Sequence, residues 1–132
     1  MAVYHSKNHA KYLMKYHLIL SVKYRHKLLI KVGDFVKETI SNIAQDYNFI
    51  VNEMEVDKDH IHILLDLTPS QLPSNIVKII KSITTVELWD KHPKILKSKL
   101  WGTPHFWTRG YFICTTGDAS TAVVAEYIKN QG

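Results

Sequence analysis

The clearest candidates for chemistry in this sequence are two histidines, His60 and His62, set in an otherwise apolar run. The odd positions of the run predict a strand face packed on a core: Ile61, Ile63, Leu65 and Leu67. The histidines then share the opposite face about 6.5 Å apart, a separation that one cation can bridge through two ring nitrogens. Carboxylates close by in sequence favour a divalent cation: Glu53, Glu55, Asp57, Asp59 and Asp66. Two exposed strand histidines without a ligand are the commoner explanation of such a pair.

A second candidate lies near the end of the chain, where Tyr127 and Gln131 are four residues apart. On a helix this spacing stacks both side chains on one face, one turn apart. A phenol beside an amide oxygen offers a nucleophile next to a metal ligand. A boundary tyrosine without a catalytic role is the alternative on this pair alone.

The elements that must position these residues follow from the hydrophobic pattern. We predict strands over 12–24, 49–56, 60–67 and 106–115, the last with a bulge near Arg109-Gly110. Helices are predicted from Gly33-Asp34, with Asp34 as cap, and from Ser74 to about residue 89. Residues 91–104 are expected to form a basic connector. A last helix is expected over 119 to about 131, capped by Asp118.

This order of elements predicts a single α+β domain over residues 1–132. The fold class is a ferredoxin-like βαββαβ antiparallel sheet with an additional C-terminal helix that carries the tyrosine. In that topology the first and third predicted strands are central neighbours. Both main helices cover one face of the sheet and leave the histidine face for another use.

The positive charge is concentrated at the start of the chain. Seven basic residues precede the first carboxylate, Asp34, whereas the other 99 residues hold 10 basic and 12 acidic groups. The whole surplus of +5 therefore lies in the first quarter, which suggests a polyanion, nucleic acid before membrane. A solubilising surface without a partner is the alternative.

The remaining composition limits the class of protein. No apolar run approaches the roughly 20 residues of a membrane span, and the lysine-bearing N-terminal stretch is not a signal peptide. The single cysteine, Cys114, excludes a disulfide framework and a multi-cysteine metal site. We expect a soluble cytoplasmic protein, associated with the nucleoid when it is bound to DNA.

Taken together, the motifs resemble those of the single-tyrosine HUH transposases of the IS200-like insertion-sequence family. The resemblance covers nearly the whole chain and depends on an ordered set of segments. These are Tyr16-His17-Leu18, Lys23-Tyr24-Arg25-His26-Lys27, Asp59-His60-Ile61-His62-Ile63-Leu64, residues 74–81, Leu100-Trp101-Gly102, Phe106-Trp107-Thr108-Arg109-Gly110-Tyr111-Phe112, Thr116-Gly117 and Glu126-Tyr127-Ile128-Lys129-Asn130-Gln131. The histidine pair is unspecific, but the ordered set ending in Tyr-x-x-x-Gln is specific.

The resemblance implies a role for each of these residues. His60, His62 and Gln131 would bind a divalent metal, Mg²⁺ or Mn²⁺, and Tyr127 would be the nucleophile. Single-stranded DNA with hairpins near the element ends would be cut and rejoined through a covalent 5′-phosphotyrosine. A homodimer would share its active sites, the tyrosine helix of one subunit completing the histidine site of the other. Relatives often extend further beyond the position of Gln131 than this sequence does.

In the predicted topology the basic strand lies beside the histidine strand. Lys15, His17, Lys23 and Arg25 share its polar face and are therefore the candidate DNA contacts. Three other functions remain open at this point. They are a binding module for single strands without chemistry, a metal-dependent hydrolase in which water attacks, and a domesticated relative that processes dispersed hairpins.

Overall fold

The computed structural model describes residues 4–7, 10–116 and 127–129. Its strands are β1 (His5–Lys7), β2 (Ala10–Tyr12), β3 (Lys15–Ser21), β4 (Ile50–Val56), β5 (His60–Asp66) and β6 (Phe112–Thr115). Its helices are α1 (Leu29–Tyr47), α2 (Pro73–Lys91) and α3 (Pro93–Leu100), and a 3-10 turn spans Lys23–Arg25. Residues 127–129 are also helical.

The four long strands form one antiparallel sheet in the order β4-β5-β3-β6. In the order of the chain these are the second, third, first and fourth strands of the sheet. The arrangement is the predicted ferredoxin-like one, with the first and third strands as central neighbours. The α+β prediction is therefore confirmed. Among the described helices, none is long and apolar enough to cross a membrane.

One face of the sheet packs against α1 and α2. Leu18 and Leu20 of β3 are fully buried there, as are the odd residues of β5 that the sequence assigned to this face. The helices contribute their own apolar sides to the same core, namely Val32, Val36, Ile40, Ile76, Val77 and Ile80. Complete burial of each of these side chains contributes about 1.5–3 kcal/mol. The opposite face of the sheet carries the histidines.

The first sheet strand is shorter than the alternation predicted. Residues 10–12 pair with residues 5–7 in a separate hairpin, and β3 ends at Ser21. Beyond Ser21, the amide of Val22 donates to the carbonyl of Asp59, and the amide of Lys23 donates to the carbonyl of Phe106. These tertiary bonds turn the chain into the 3-10 turn, although the apolar alternation continues to Tyr24.

Helix α1 begins at Leu29, four residues before the predicted start, and Asp34 is not its cap. The glycine that suggested a helix start has a packing role instead. A Cβ atom at Gly33 would lie 2.9 Å from Cγ1 of Val56, closer than real Cβ atoms approach. Gly33 thus permits close packing of α1 on β4.

Two further predictions were wrong. The expected connector at 91–104 contains α3, which buries Leu96 and Leu100 in the core. The fourth strand spans Phe112–Thr115 alone, and Trp107 makes an isolated bridge to Val22. Most of the predicted last helix, with its cap Asp118, lies outside the described residues.

A three-residue turn, Asp57 to Asp59, joins β4 to β5. The amide of Asp57 donates to the carbonyl of His60, and the amide of Lys58 donates to the carboxylate of Asp57. The carbonyls of Lys58 and Asp59 accept from the amides of Leu29 and Val22. The turn is therefore bonded to two other parts of the chain.

Candidate metal and tyrosine site

The face opposite α1 and α2 carries a continuous row of side chains across the four strands. The strand register places Glu55 opposite His62, His62 opposite Ile19, and Ile19 opposite Phe112. Directly opposed residues of an antiparallel pair project to the same face. His62 is therefore in line with Phe112, which lies on the edge strand β6. Ile19 between them is fully buried.

Tyr127 lies at the Phe112 end of this row. Its ring centroid is 4.7 Å from that of Phe112, with the two planes tilted by 35°. The tyrosine is half-buried. Strand alternation and a short helix together bring Tyr127 to the same sheet face as His60 and His62, and within the same chain.

His60 is held by the residue before it. Its Nδ1 lies 2.9 Å from Oδ1 of Asp59. A carboxylate on Nδ1 fixes the tautomer and leaves Nε2 as the nitrogen available to a metal ion, an arrangement found in many metal sites. Asp59 was predicted only as part of an acidic neighbourhood. The structure identifies it as the orienting partner of His60.

His62 has a different partner. Its Nε2 lies 2.8 Å from Nδ1 of His17, and the two rings stack with centroids 5.0 Å apart. Burial lowers the pKa of His62 below 6.5, and the nearby His17 lowers it further, while Glu55 and Glu53 oppose the change. His62 is thus kept neutral, as a metal ligand must be.

Arg25 connects the histidine end of the site to residues 127–129, the tyrosine segment. Its Nε and a terminal nitrogen lie 3.0 and 3.1 Å from the two carboxylate oxygens of Asp59. Its other terminal nitrogen donates to the carbonyl of Ile128, at 3.1 Å. Burial opposes ionisation of Asp59, but bonds from Arg25 and His60 outweigh it, so the pKa of Asp59 falls below 3.8.

The phenol of Tyr127 is difficult to ionise in this setting. Burial raises its pKa above 10, and the positive charge of Arg25 only partly offsets that effect. The described surroundings therefore favour the protonated phenol.

The chemistry of the donors fits a divalent ion in part. His60 and His62 supply two imidazole nitrogens, with further positions left to oxygen donors such as water or phosphate. Across residues 4–7, 10–116 and 127–129, no group of three His, Cys, Asp or Glu side chains is arranged to hold a metal. Gln131, the predicted third ligand, lies outside the described residues.

The four candidate DNA contacts do not share one strand face. Lys15 and His17 are on β3, but Lys23 and Arg25 lie beyond its end, in the 3-10 turn. Lys23 lines a groove of 620 Å³ together with Lys81 and Arg109. The prediction that all four residues share one strand face was therefore wrong for Lys23 and Arg25, because tertiary bonds end the strand at Ser21. Their contact with DNA stays a prediction.

Several pairings in this site were not predicted from the sequence, among them His17 with His62 and Arg25 with Ile128. Strand parity already put His17 and His62 on the same face of neighbouring strands, so the signal for their contact was present. The link from Arg25 to Ile128 had no such signal, because it joins positions 103 residues apart. Asp66 was grouped with the acidic neighbourhood of the histidines, yet its carboxylate pairs with His5, 2.7 Å away.

Comparison with known proteins agrees with the motifs. A family profile described as "Transposase IS200 like" matches residues 10–131. The ISDra2 transposase TnpA of Deinococcus radiodurans is 38% identical over 121 residues, which cover 91% of this chain and 85% of that protein. The transposase for insertion sequence element IS200 of Salmonella typhimurium is 30% identical over 124 residues, 93% of this chain and 80% of the relative.

Solved structures share the fold. A crystal structure described as that of a transposase from Deinococcus radiodurans R1 superposes with a TM-score of 0.86 and 30% identity. The match covers 96% of this chain and 97% of that one. A REP-associated tyrosine transposase bound to a REP hairpin gives a TM-score of 0.59 at 15% identity, over 93% and 68% of the two chains. The second similarity concerns the fold alone.

Proposed function

Because this chain belongs to the IS200-like transposase family, we propose that it cuts and rejoins single-stranded DNA through a covalent bond to Tyr127. One observation carries the assignment of the nucleophile. The ring of Tyr127 packs at a tilt against that of Phe112, at the end of the row that includes His62. A phenol and two imidazoles on one sheet face are suited to attack on a phosphodiester.

The proposed reaction conserves bonds. The phenol oxygen of Tyr127 attacks phosphorus, and the bond from phosphorus to the 3′-oxygen breaks. The phenolic proton ends on that oxygen, so the products are a 5′-phosphotyrosine and a free 3′-hydroxyl. A 3′-hydroxyl from another strand end then attacks the phosphotyrosine and regenerates the phenol. Two transesterifications require no nucleotide hydrolysis.

We propose Mg²⁺ or Mn²⁺ as the cofactor, held by His60, His62 and Gln131. When bound, a divalent ion supplies positive charge that neutralises the scissile phosphate and stabilises the phenolate. The Asp59 carboxylate keeps Nε2 of His60 free for this role. Burial and His17 keep His62 neutral.

The substrate is proposed to carry a small hairpin near the cleavage site. In support, a protein of the same fold has been solved with a REP hairpin.

We also propose a homodimer with shared active sites, in which the tyrosine segment of one subunit docks on the histidine face of the other. In the single chain the segment docks on its own sheet, through Phe112 and Arg25.

The test is a covalent adduct assay with single-stranded DNA and Mn²⁺. Wild-type protein is expected to form an adduct that survives denaturation and is lost in Tyr127→Phe. Tyr47→Phe, which changes an exposed tyrosine at the far end of α1, is the matched control and should retain it. An adduct that persists in Tyr127→Phe would refute the assigned nucleophile.

The same assay separates the alternative functions. A metal-dependent hydrolase in which water attacks would cleave without any adduct, and Tyr127→Phe would keep that cleavage while His60→Ala and His62→Ala lose it. A binding module would retain DNA without cleaving it. A domesticated relative would form adducts on dispersed hairpins rather than on the ends of its own element.

A further inference from the structure

We propose that Arg25 is a positioning residue that fixes the tyrosine segment relative to the histidine site. This inference deepens the proposed function and rests on it. Sequence reasoning gave Arg25 a different role, a contact to DNA phosphate. The contacts of its guanidinium group favour the internal role.

A chain of polar contacts runs from one candidate catalytic residue to the other. Asp59 accepts from Arg25 and bonds Nδ1 of His60, with its Oδ1 shared by both at 3.1 and 2.9 Å. Arg25 in turn donates to the carbonyl of Ile128, the residue next to Tyr127. The orientation of His60 and the location of Tyr127 therefore depend on the same guanidinium group.

The guanidinium group is poorly placed to serve DNA as well. Its side chain is 22% exposed, and the carboxylate it pairs with is 19% exposed. Its two terminal nitrogens donate to protein oxygens at 3.1 Å, and its buried Nε lies 3.0 Å from Oδ2 of Asp59 without forming a hydrogen bond to any described residue. A phosphate would have to replace the charge-assisted contact to Asp59, which is among the stronger kinds of hydrogen bond.

The backbone around Arg25 is strained. Tyr24 and Arg25 have φ angles of 58° and 55°, in the left-handed region that disfavours residues with a Cβ atom. Two consecutive residues of this kind persist only when surrounding contacts determine them, and such strain concentrates at functional sites. Here the amides of Val22, Lys23 and Arg25 hold the turn through backbone bonds. The strained turn brings the guanidinium group between Asp59 and Ile128.

The experiment separates positioning from DNA contact. The wild type, Arg25→Gln and Arg25→Lys are compared in three measurements. These are the rate of adduct formation in a single turnover, the affinity for DNA and the salt dependence of that affinity. Lys97→Gln, at an exposed lysine of α3, is the control for loss of one positive charge. Hydrogen exchange of the peptide containing residues 127–129 reports docking of the tyrosine segment, and exchange in β3 and β5 reports the integrity of the sheet.

If Arg25 is a positioning residue, Arg25→Gln slows adduct formation by about tenfold or more, the effect of losing a charge-assisted hydrogen bond. Affinity and its salt dependence stay at the level of Lys97→Gln. Exchange rises in the 127–129 peptide but not in the sheet. Arg25→Lys keeps the charge but loses the planar fork, so it should recover only part of the rate.

Two results would overturn the proposal. A phosphate contact would appear as weaker binding specific to Arg25→Gln, with the log–log salt slope reduced by about one. Unchanged exchange in the 127–129 peptide, with an unchanged adduct rate, would remove the positioning role. If wild-type protein forms no adduct at all, the proposed function fails instead, and the exchange data still decide whether Arg25 docks the segment.

Discussion

Nδ1 of His17 lies 2.8 Å from Nε2 of His62. Each neutral imidazole carries one N–H group, so one of these two nitrogens donates to the other. If the proposed ion binds Nε2 of His62, as the contact with Asp59 predicts for His60, it takes the nitrogen already engaged by His17. The hydrogen bond and the metal therefore compete for the same position.

Replacing His17 by alanine should tighten Mn²⁺ binding by about two- to tenfold. A typical hydrogen bond contributes about 0.5–1.5 kcal/mol net, and ten-fold in affinity corresponds to about 1.4 kcal/mol. Titration of Mn²⁺ followed by electron paramagnetic resonance measures the affinity directly. His105→Ala, at an exposed histidine outside the site, is the control. Weaker binding in His17→Ala would mean that His17 itself is a ligand.

The lowered pKa of Asp59 predicts that the stability of the folded protein depends on pH. Because its pKa is lowered in the folded protein, its contribution is present above the ordinary value of 3.8 and is lost as pH falls through the lower folded pKa. Urea unfolding at pH 5 should find Asp59→Asn less stable than wild type, and the difference should shrink towards pH 2.5. Asp90→Asn, at an exposed carboxylate of α2, should give no such trend. A difference that is constant with pH would contradict the pairing with Arg25 and His60.

Gly33→Ala sets helix propensity against packing. Alanine in a helix interior gains about 1 kcal/mol over glycine, but its Cβ would lie 2.9 Å from Cγ1 of Val56. Overpacking costs about 1–3 kcal/mol, so the variant should be less stable in chemical unfolding, or at best neutral. In a Val56→Ala background the clash is absent, and the same substitution should then stabilise. Stabilisation in the wild-type background would mean that α1 and β4 separate easily.

Mixing two inactive variants tests whether active sites are shared between subunits. His60→Ala keeps Tyr127, and Tyr127→Phe keeps His60. If the tyrosine segment serves the partner subunit, a mixed dimer contains one complete site and regains adduct formation. If each segment serves its own chain, as its contacts to Phe112 and Arg25 would allow, the mixture stays inactive. Sedimentation of the mixture establishes that dimers are present.

The alternation of apolar residues was sufficient to predict the sheet and the face of the histidines. It assigned the odd residues of β5 to the core and both histidines to the other side. The ferredoxin-like order then followed, because two helices separated by strands must cover one face. These features depend on local periodicity, which a sequence displays directly.

The errors arose where distant contacts override the local pattern. Beyond Ser21 the alternation continues through Val22 and Tyr24, yet bonds to Asp59 and Phe106 turn the backbone. The lysines of 91–104 obscured the helical spacing of Leu96 and Leu100, both of which are buried. In the candidate site, the contact between Arg25 and Ile128 joins two ends of the chain that only the folded structure brings together.

The turn between β4 and β5 also limits how this protein can vary in length. The carbonyl of Lys58 accepts from the amide of Leu29, and the carbonyl of Asp59 accepts from the amide of Val22. An inserted residue would therefore disturb the start of α1 and the 3-10 turn together. Insertions are tolerated best where few backbone hydrogen bonds are affected. Evolutionary length changes, epitope tags and fluorescent fusions should therefore be accommodated elsewhere on the surface, and this turn should keep its length.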